Sequence, residues 1–339
     1  MEEAKKKIIL EEFCVRNIAE SDYPGVYASE YDDNPFGINN VSVMIVNNKG
    51  NELEFDLIGV CCAVANAFRR IMLSEVPSMA IEKVFVHNNT TLIKDEVLAH
   101  RLGLVPLKAN AALFEYRPDG SVEANENDTL EYELKIKCTV NHEGDKSSQL
   151  PNDLYKNHSV YSQHIKWVPI GSQATTLTEE NVKPVHDDIL LNKMRPGQEL
   201  DLKLHAVKGI GKDHAKFSPV ATAYYRMLPD IKLLREVTGE DAELLKKCFS
   251  PGVIEVEEGK DGVKRAVVAD ARYDTCSRIV YRYPQLKDCV QIARIRDHFI
   301  FNIESVGALP PHEIFLEAVK VLENKCRKYL KELHTEDYQ

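Results

Sequence analysis

The chain lacks any apolar run near the ~18 residues that a membrane-crossing helix requires, so neither a transmembrane helix nor a membrane partner is expected. It also lacks a basic excess: 53 acidic side chains face 43 basic ones, for a formal net charge of −10. Proteins that wrap nucleic acid gain most of their affinity by neutralising phosphates. Strong direct nucleic-acid binding is therefore not expected, and only small basic patches are left for it. The eight cysteines are scattered apart from the adjacent Cys61-Cys62. The N-terminal stretch MEEAKKKIILEEF holds an apolar run too short for a signal-peptide core. Reduced thiols in the cytosol or nucleus are the expectation. GxSxG and HExxH motifs are missing as well, so no hydrolase chemistry is indicated.

What is present is ordinary globular sequence: 339 residues, 44% hydrophobic and 28% charged, enough for two domains with cores of their own. Residues 1–39, with YPG and EYDDNPFG, read as an extended arm with little core. Val41–Val46 and Leu53–Leu57 read as a hairpin closed by Asn48-Lys49-Gly50-Asn51. A helix over about Val60–Glu75 follows, because Val60, Val64, Ala67, Phe68 and Ile71 repeat at helical spacing. Pro77 stops it and AIEKVFV (80–86) alternates like a strand. Asp95-Glu96 then open a short helix to Leu102, which Gly103 is expected to cap.

Strands are expected at Leu130–Val140, His164–Val168, Glu199–Val207, Ala221–Leu228 and His298–Val306. A closing helix carries the stripe Phe315, Ala318, Val319, Leu322, Cys326, Tyr329, Leu330 and Leu333. The two strongest helices stand near opposite ends of the chain, each beside a strand. One economical α+β fold pairs those ends in a single domain and inserts the middle as another.

Several motifs invite chemistry and fail on spacing. Gly209-Ile210-Gly211-Lys212 hints at a phosphate loop, but the first P-loop glycine falls on Ala206 and the hydroxyl position on Asp213, whose carboxylate would repel phosphate. His186-Asp187-Asp188 reads as a solvated loop, since adjacent carboxylates on a strand point to opposite faces. His205 and His214 have no partner at a zinc-like interval, and His298 reads as a packing residue. Arg69-Arg70, midway along the first helix, suits either a solvated face or an ionic grip on a partner.

The stretch Asn66–Leu102 (NAFRRIMLSEVPSMAIEKVFVHNNTTLIKDEVLAHRL) decides between those two readings. Asn66, Arg69-Arg70, Ala80, Val84, Asn89, Asp95-Glu96, Ala99 and Arg101 stand in an order that closely resembles the signature of the α-like assembly subunits of cellular RNA polymerases. FEYRPDG (114–120), PVHDDIL (184–190), GIGKDHAKFSPVATAYYRMLPDI (209–231), CFSPGVIEV (248–256) and ARIRDHFIFNIESVGALPP (293–311) extend the resemblance over nearly the whole chain. They resemble the branch shared by RNA polymerases I and III.

That resemblance implies a discontinuous α-like dimerisation domain (40–76 and 297–339), an inserted β-rich domain (77–229) and a ferredoxin-like remnant (230–296). The remnant is expected to hold no metal, since only Cys248, Cys276 and Cys289 remain in it, widely spaced, and a four-iron cluster needs four thiolates. No cofactor is expected. The resemblance further implies a heterodimer with the small α-like subunit through Val64, Phe68, Ile71, Phe315, Val319, Leu322, Cys326 and Leu330. Contact with the second-largest subunits is implied through Arg69, Arg70, Asn88 and Asn89, with other polymerase subunits beyond them. It also implies a scaffold without an active site, serving ribosomal, 5S and transfer RNA genes from the nucleus and nucleolus after assembly in the cytoplasm. The Asn-Ala-Asp-Phe-Asp-Gly-Asp run of the catalytic large subunit is absent.

The rivals are another α-like subunit, a metal or redox protein, and a free-standing binding module. The RNA polymerase II type would carry a four-cysteine zinc loop in its insert, where this chain has Cys138 alone. A bacterial α subunit would carry a linker and a separate DNA-binding domain, and the chain is expected to lack both, running only to Gln339.

Overall fold

The computed structural model describes residues 7–18, 40–118, 123–142, 149–259 and 261–336. The YPG and EYDDNPFG segments of the expected arm lie outside them. The chain runs through β1 (Lys7–Leu10), β2 (Val15–Arg16), β3 (Ser42–Lys49), β4 (Glu52–Ile58), α1 (Cys62–Ser74), β5 (Pro77–Asn89) and α2 (Asp95–Gly103). It continues with β6 (Thr129–Lys137), β7 (Lys166–Val168), β8 (Glu199–Ile210), β9 (Val220–Leu233), α3 (Glu240–Cys248), β10 (Ile254–Glu258), β11 (Lys264–Val268), β12 (Val290–Ser305) and α4 (Pro311–Glu336). Two compact units result: one from residues 1–47, 54–67 and 224–302, the other from 48–53, 68–223 and 303–339. This partition differs from the one the sequence suggests, because α4 falls with the middle of the chain.

The first unit is built on a six-stranded sheet of order β2-β1-β12-β4-β3, with β9 also paired to β12. Here the expectation of an arm with little core fails for its described part. Lys7–Leu10 pairs antiparallel with Ile292–Ile295, Leu10 is buried, and the Tyr281 hydroxyl donates to the Leu10 carbonyl at 2.6 Å. The signal was KIIL, a strand-sized apolar run. Leu10, Ile231, Leu245, Val253, Val280 and Ile292 share one core with Cys248, Cys276 and Cys289. Phe55 stacks on Phe301 at 5.2 Å between ring centroids, and Tyr225 packs edge-on to Phe299 at 5.3 Å.

His298 is a second correction. It does more than pack: its Nε2 lies 2.8 Å from Asp56 Oδ2. The same carboxylate takes two hydrogen bonds from the Arg272 guanidinium, at 2.8 and 2.9 Å, while Arg272 also donates to Glu54. Burial alone would push the Asp56 carboxyl up; the hydrogen bonds from Arg272 and His298 more than offset it and leave the group below its ordinary value.

The second unit centres on a four-stranded sheet of order β7-β6-β8-β5. Register sets its two faces apart. Leu200, Leu202, Leu204 and Ala206 stand opposite Ile136, Leu134, Tyr132 and Leu130, and all are buried. The alternate positions on the other face are charged, with Lys203 bonded to Glu131 at 2.8 Å and Lys135 to Asp201 at 2.9 Å. Strict alternation of this kind is what a half-buried strand requires.

Helix α2 covers part of the apolar face with Leu98 and Leu102. Acidic Asp95 and Glu96 sit in its first turn and His100 and Arg101 in its last, each end complementing the helix dipole. Gly103 is not a left-handed cap. The helix ends through Leu104, in right-handed conformation, and a Cβ on Gly103 would come within 3.3 Å of the Ile81 carbonyl oxygen. The glycine lets the helix end pack closely on β5 and does not form a left-handed turn.

Candidate partner interface

Helix α1 forms where its apolar positions recur at helical spacing, and it ends with Glu75 and Val76 both donating to the Ile71 carbonyl, at 2.8 and 3.0 Å. Along it, Val64 and Phe68 are half-buried, Arg69 is half-buried and Arg70 is exposed. Ile71 departs from the expectation that it lies on the partner surface. It is only 3% exposed, so it belongs to the chain's own core and offers a partner almost no surface.

The turn of GIGKD, rejected above as a phosphate loop, has a structural job. Gly209 and Ile210 still belong to strand β8, and the Lys212 amide donates to the Ser74 carbonyl at 2.8 Å, satisfying an orphan group at the end of α1. A Cβ on Gly211 would come within 2.4 Å of the Leu73 carbonyl oxygen, so only glycine fits there. The loop's backbone is committed to the helix.

Helix α4 starts against its own unit and ends in solvent. Ile314 and Ala318 are buried, and the half-buried Phe315 meets Phe68 at 5.3 Å between ring centroids, tilted by 56°. Lys325 ties it to Glu75 at the end of α1 at 2.6 Å. Leu322 is half-buried, whereas Val319, Cys326, Tyr329, Leu330 and Leu333 are exposed, Leu330 by 56%. Phe315, Val319, Leu322, Cys326, Leu330 and Leu333 recur every three or four residues, which is one seam of a helix open to another helix.

Asn88 and Asn89 stand in a different light. Asn88 donates to Glu199, and Asn89 organises its turn. Its Oδ1 accepts from the amide and hydroxyl of Thr91 at 3.0 and 2.7 Å, while its Nδ2 donates to the Ile93 carbonyl at 3.0 Å and to Asp95 at 2.6 Å. These side chains shape the turn that presents exposed Leu92 rather than reaching outward themselves. Arg101, another signature residue, donates to the Leu190 and Leu191 carbonyls and pins α2.

Sequence reasoning named the hairpin but missed what β3 offers. Val43, Met44, Ile45 and Val46, on the last strand of its sheet, are exposed, as is Val41 just before it. The signal was available in VSVMIV, where from Val43 on both alternate sets are apolar. A long apolar edge is an aggregation hazard unless something covers it.

This is the arrangement of a subunit made to be held by others, and a family model described as the RNA polymerase Rpb3/Rpb11 dimerisation domain matches residues 54–326. Over 337 residues the chain is 55% identical to the DNA-directed RNA polymerases I and III subunit RPAC1 of Homo sapiens, covering 98% of this chain and 96% of that protein. The subunit of the same name from Saccharomyces cerevisiae is 47% identical over 325 residues, covering 94% and 95%. The DNA-directed RNA polymerase II subunit rpb3 of Dictyostelium discoideum reaches 32% over 289 residues, covering 83% and 91%. The chain belongs to the family of the α-like subunit shared by RNA polymerases I and III.

Proposed function

We propose that the chain is the non-catalytic assembly subunit common to RNA polymerases I and III. It acts in the nucleus, including the nucleolus, after assembly in the cytoplasm, and supports transcription of ribosomal, 5S and transfer RNA genes. Its first partner is the small α-like subunit. The observation that carries this reading is the seam on α4, where Val319, Leu330 and Leu333 lie in water beside the Phe68–Phe315 contact. Obligate interfaces commonly bury roughly 2,000 Å² or more. At about 25 cal/mol per Å² of apolar area the gross gain is large, although association entropy offsets much of it.

The dimer then docks the second-largest subunit of each polymerase. Arg70 and the turn held by Asn89 are the polar surface for that contact, with Arg69 beside them. The dimerisation module is discontinuous, drawing on α1 and α4, and residues 230–296 form a metal-free remnant of a ferredoxin-like insertion. Their cysteines Cys248, Cys276 and Cys289 serve as small apolar core residues. The greater likeness to the RNA polymerases I and III subunits than to the RNA polymerase II subunit favours this assignment over its α-like rivals.

The test is size-exclusion chromatography with light scattering, on the chain alone and co-expressed with the small α-like subunit of the same cell. A stable 1:1 complex beside an aggregating lone chain is the expected result. A well-behaved monomer that ignores the partner would overturn the reading.

A further inference from the structure

The β3 edge of the first unit's sheet is apolar on both of its faces at once. Successive side chains of a strand point to opposite faces, which puts Val43 and Ile45 on one and Met44 and Val46 on the other. They are 51, 64, 58 and 47% exposed, in that order. One strand further in, Phe55 and Asp56 of β4 also point to opposite faces, and they are only 1 and 6% exposed. What covers the two sides of β4 therefore stops short of β3.

Among the described residues β3 ends its sheet, paired on one side alone. Its outer backbone N–H and C=O groups form an open row. Edge strands that stay free in nature are guarded by charge, proline or a bulge, and Ser42–Val46 carries neither charge nor proline.

That combination selects the shape of what covers it. A helix laid on the sheet would dry one face and leave the other wet. An extended segment added to the edge bonds the open row and brings its own alternating side chains to both faces. Ser42–Val46 offers no charge to answer one, so the segment is itself uncharged and apolar in both alternate sets. Area decides who brings it. The eight residues of β3 make an edge about 26 Å long and, with side chains on both faces, about 10 Å deep, or about 300 Å². A free-standing pair, two copies of this chain included, needs roughly 800 Å² from each partner. A chain already held elsewhere does not, because its tethered segment meets β3 at high effective concentration. β3 also leads through β4 directly into α1, the helix that the dimer reading sets at an interface.

We propose that β3 receives, as an added strand, an extended apolar segment of a polymerase subunit already bound to this chain at another surface. The proposal rests on the assembly reading and adds a main-chain contact to the side-chain surfaces described above.

The experiment uses the full chain, tagged and expressed in cells with its natural partners, as Met44→Glu and separately as Ile45→Glu, one change on each face. Both residues are exposed, so melting of the purified chain should stay within about 1 °C. Recovery of the same polymerase subunit on the tag should fall about ten-fold with either variant, because each buries an unpaired charge in the joint. Hydrogen exchange of the unaltered chain gives a reading free of any variant. The outward-facing amides among Val43–Val46 should exchange freely in the chain alone and about 100-fold more slowly in the assembled polymerase. Full recovery with both variants, or exchange unchanged on assembly, would overturn the proposal. Loss with only one variant would mean a partner laid on a single face and overturn it too. Slowed exchange in the chain alone, with dimers in light scattering that both variants dissolve, would make the occupant a second copy and overturn it as well. If the unaltered chain recovers no polymerase subunit, the assembly reading falls first and takes the edge contact with it.

Discussion

The two halves of the closing helix continue one apolar stripe and meet opposite fates. Its first turns set Ile314 and Ala318 into their own unit and Phe315 onto Phe68, whereas its last turns hold Tyr329, Leu330 and Leu333 in water. Both halves carry apolar residues at the same spacing. What differs is whether the chain supplies a surface to meet them. The sheet core of the second unit shows the completed case, with Leu130, Tyr132, Leu134, Leu202 and Leu204 all fully buried. An apolar stripe in sequence thus announces burial without saying whose atoms will do the burying.

The sharpest way to break this comparison is Leu330→Asp. Because Leu330 is 56% exposed in the lone chain, the substitution should leave its melting temperature within about 1 °C, as surface changes do. It should abolish the heterodimer at micromolar concentration by placing an unpaired charge in an apolar seam. Sedimentation velocity of the co-expressed pair reads the result, and an intact dimer would refute the assignment of that seam. Phe68→Asp should also abolish the dimer, but it strikes the Phe315 contact as well and is the less clean probe.

Arg272→Met tests the completed side of the comparison. It strips buried Asp56 and half-buried Glu54 of their main cation, and should cost about 3 kcal/mol in urea denaturation. The sign of its pH dependence follows from the lowered Asp56 carboxyl. The stabilisation is full above the unfolded carboxylate value of about 3.9 and is lost as pH falls through the still lower folded value. The variant should lack that acid-labile component.

Smaller again is Tyr132→Phe, expected to cost about 1–2 kcal/mol because the Val182 carbonyl then loses its buried donor. Differential scanning calorimetry would show it, with heterodimer formation unchanged. The smallest effect concerns His205, whose lowered value means that the unfolded chain binds a proton which the folded chain refuses. Stability should therefore be full above about pH 6.5 and decline below it. His205→Phe should flatten that decline, a change read from melting temperatures between pH 5 and pH 7.

Much of the fold was legible because period and punctuation agreed. The expected closing helix, the hairpin after Val41 and the strand over His298–Val306 match observed elements, although the strands run longer, because ladder pairing extends them past their clean alternation. The failures share one cause: tertiary contacts assign a side chain a role that its neighbours in sequence cannot disclose. Gly103 looked like a cap because helices often end in glycine, yet the helix ends through right-handed Leu104 and the glycine packs close to the Ile81 carbonyl. His298 looked apolar-side because HFIFNI alternates, yet Asp56 and Arg272 meet it from distant segments. Ile71 shared a stripe with Phe68 but was already buried. Of the candidate site, the helix seam could be read from sequence; the inward commitments of Asn88 and Asn89 could not.

The first unit's sheet has β12 at its centre, paired with β1, β4 and β9, although β12 starts at Val290. During synthesis, then, β1 and β4 emerge long before the strand that joins them exists. At ~5–20 residues per second the wait is roughly ten to fifty seconds. Throughout it the apolar hairpin of β3 and β4 protrudes from the ribosome without its sheet. Newborn chains of this kind need shelter while the ribosome is still at work, and the hairpin is the segment that a chaperone would have to hold.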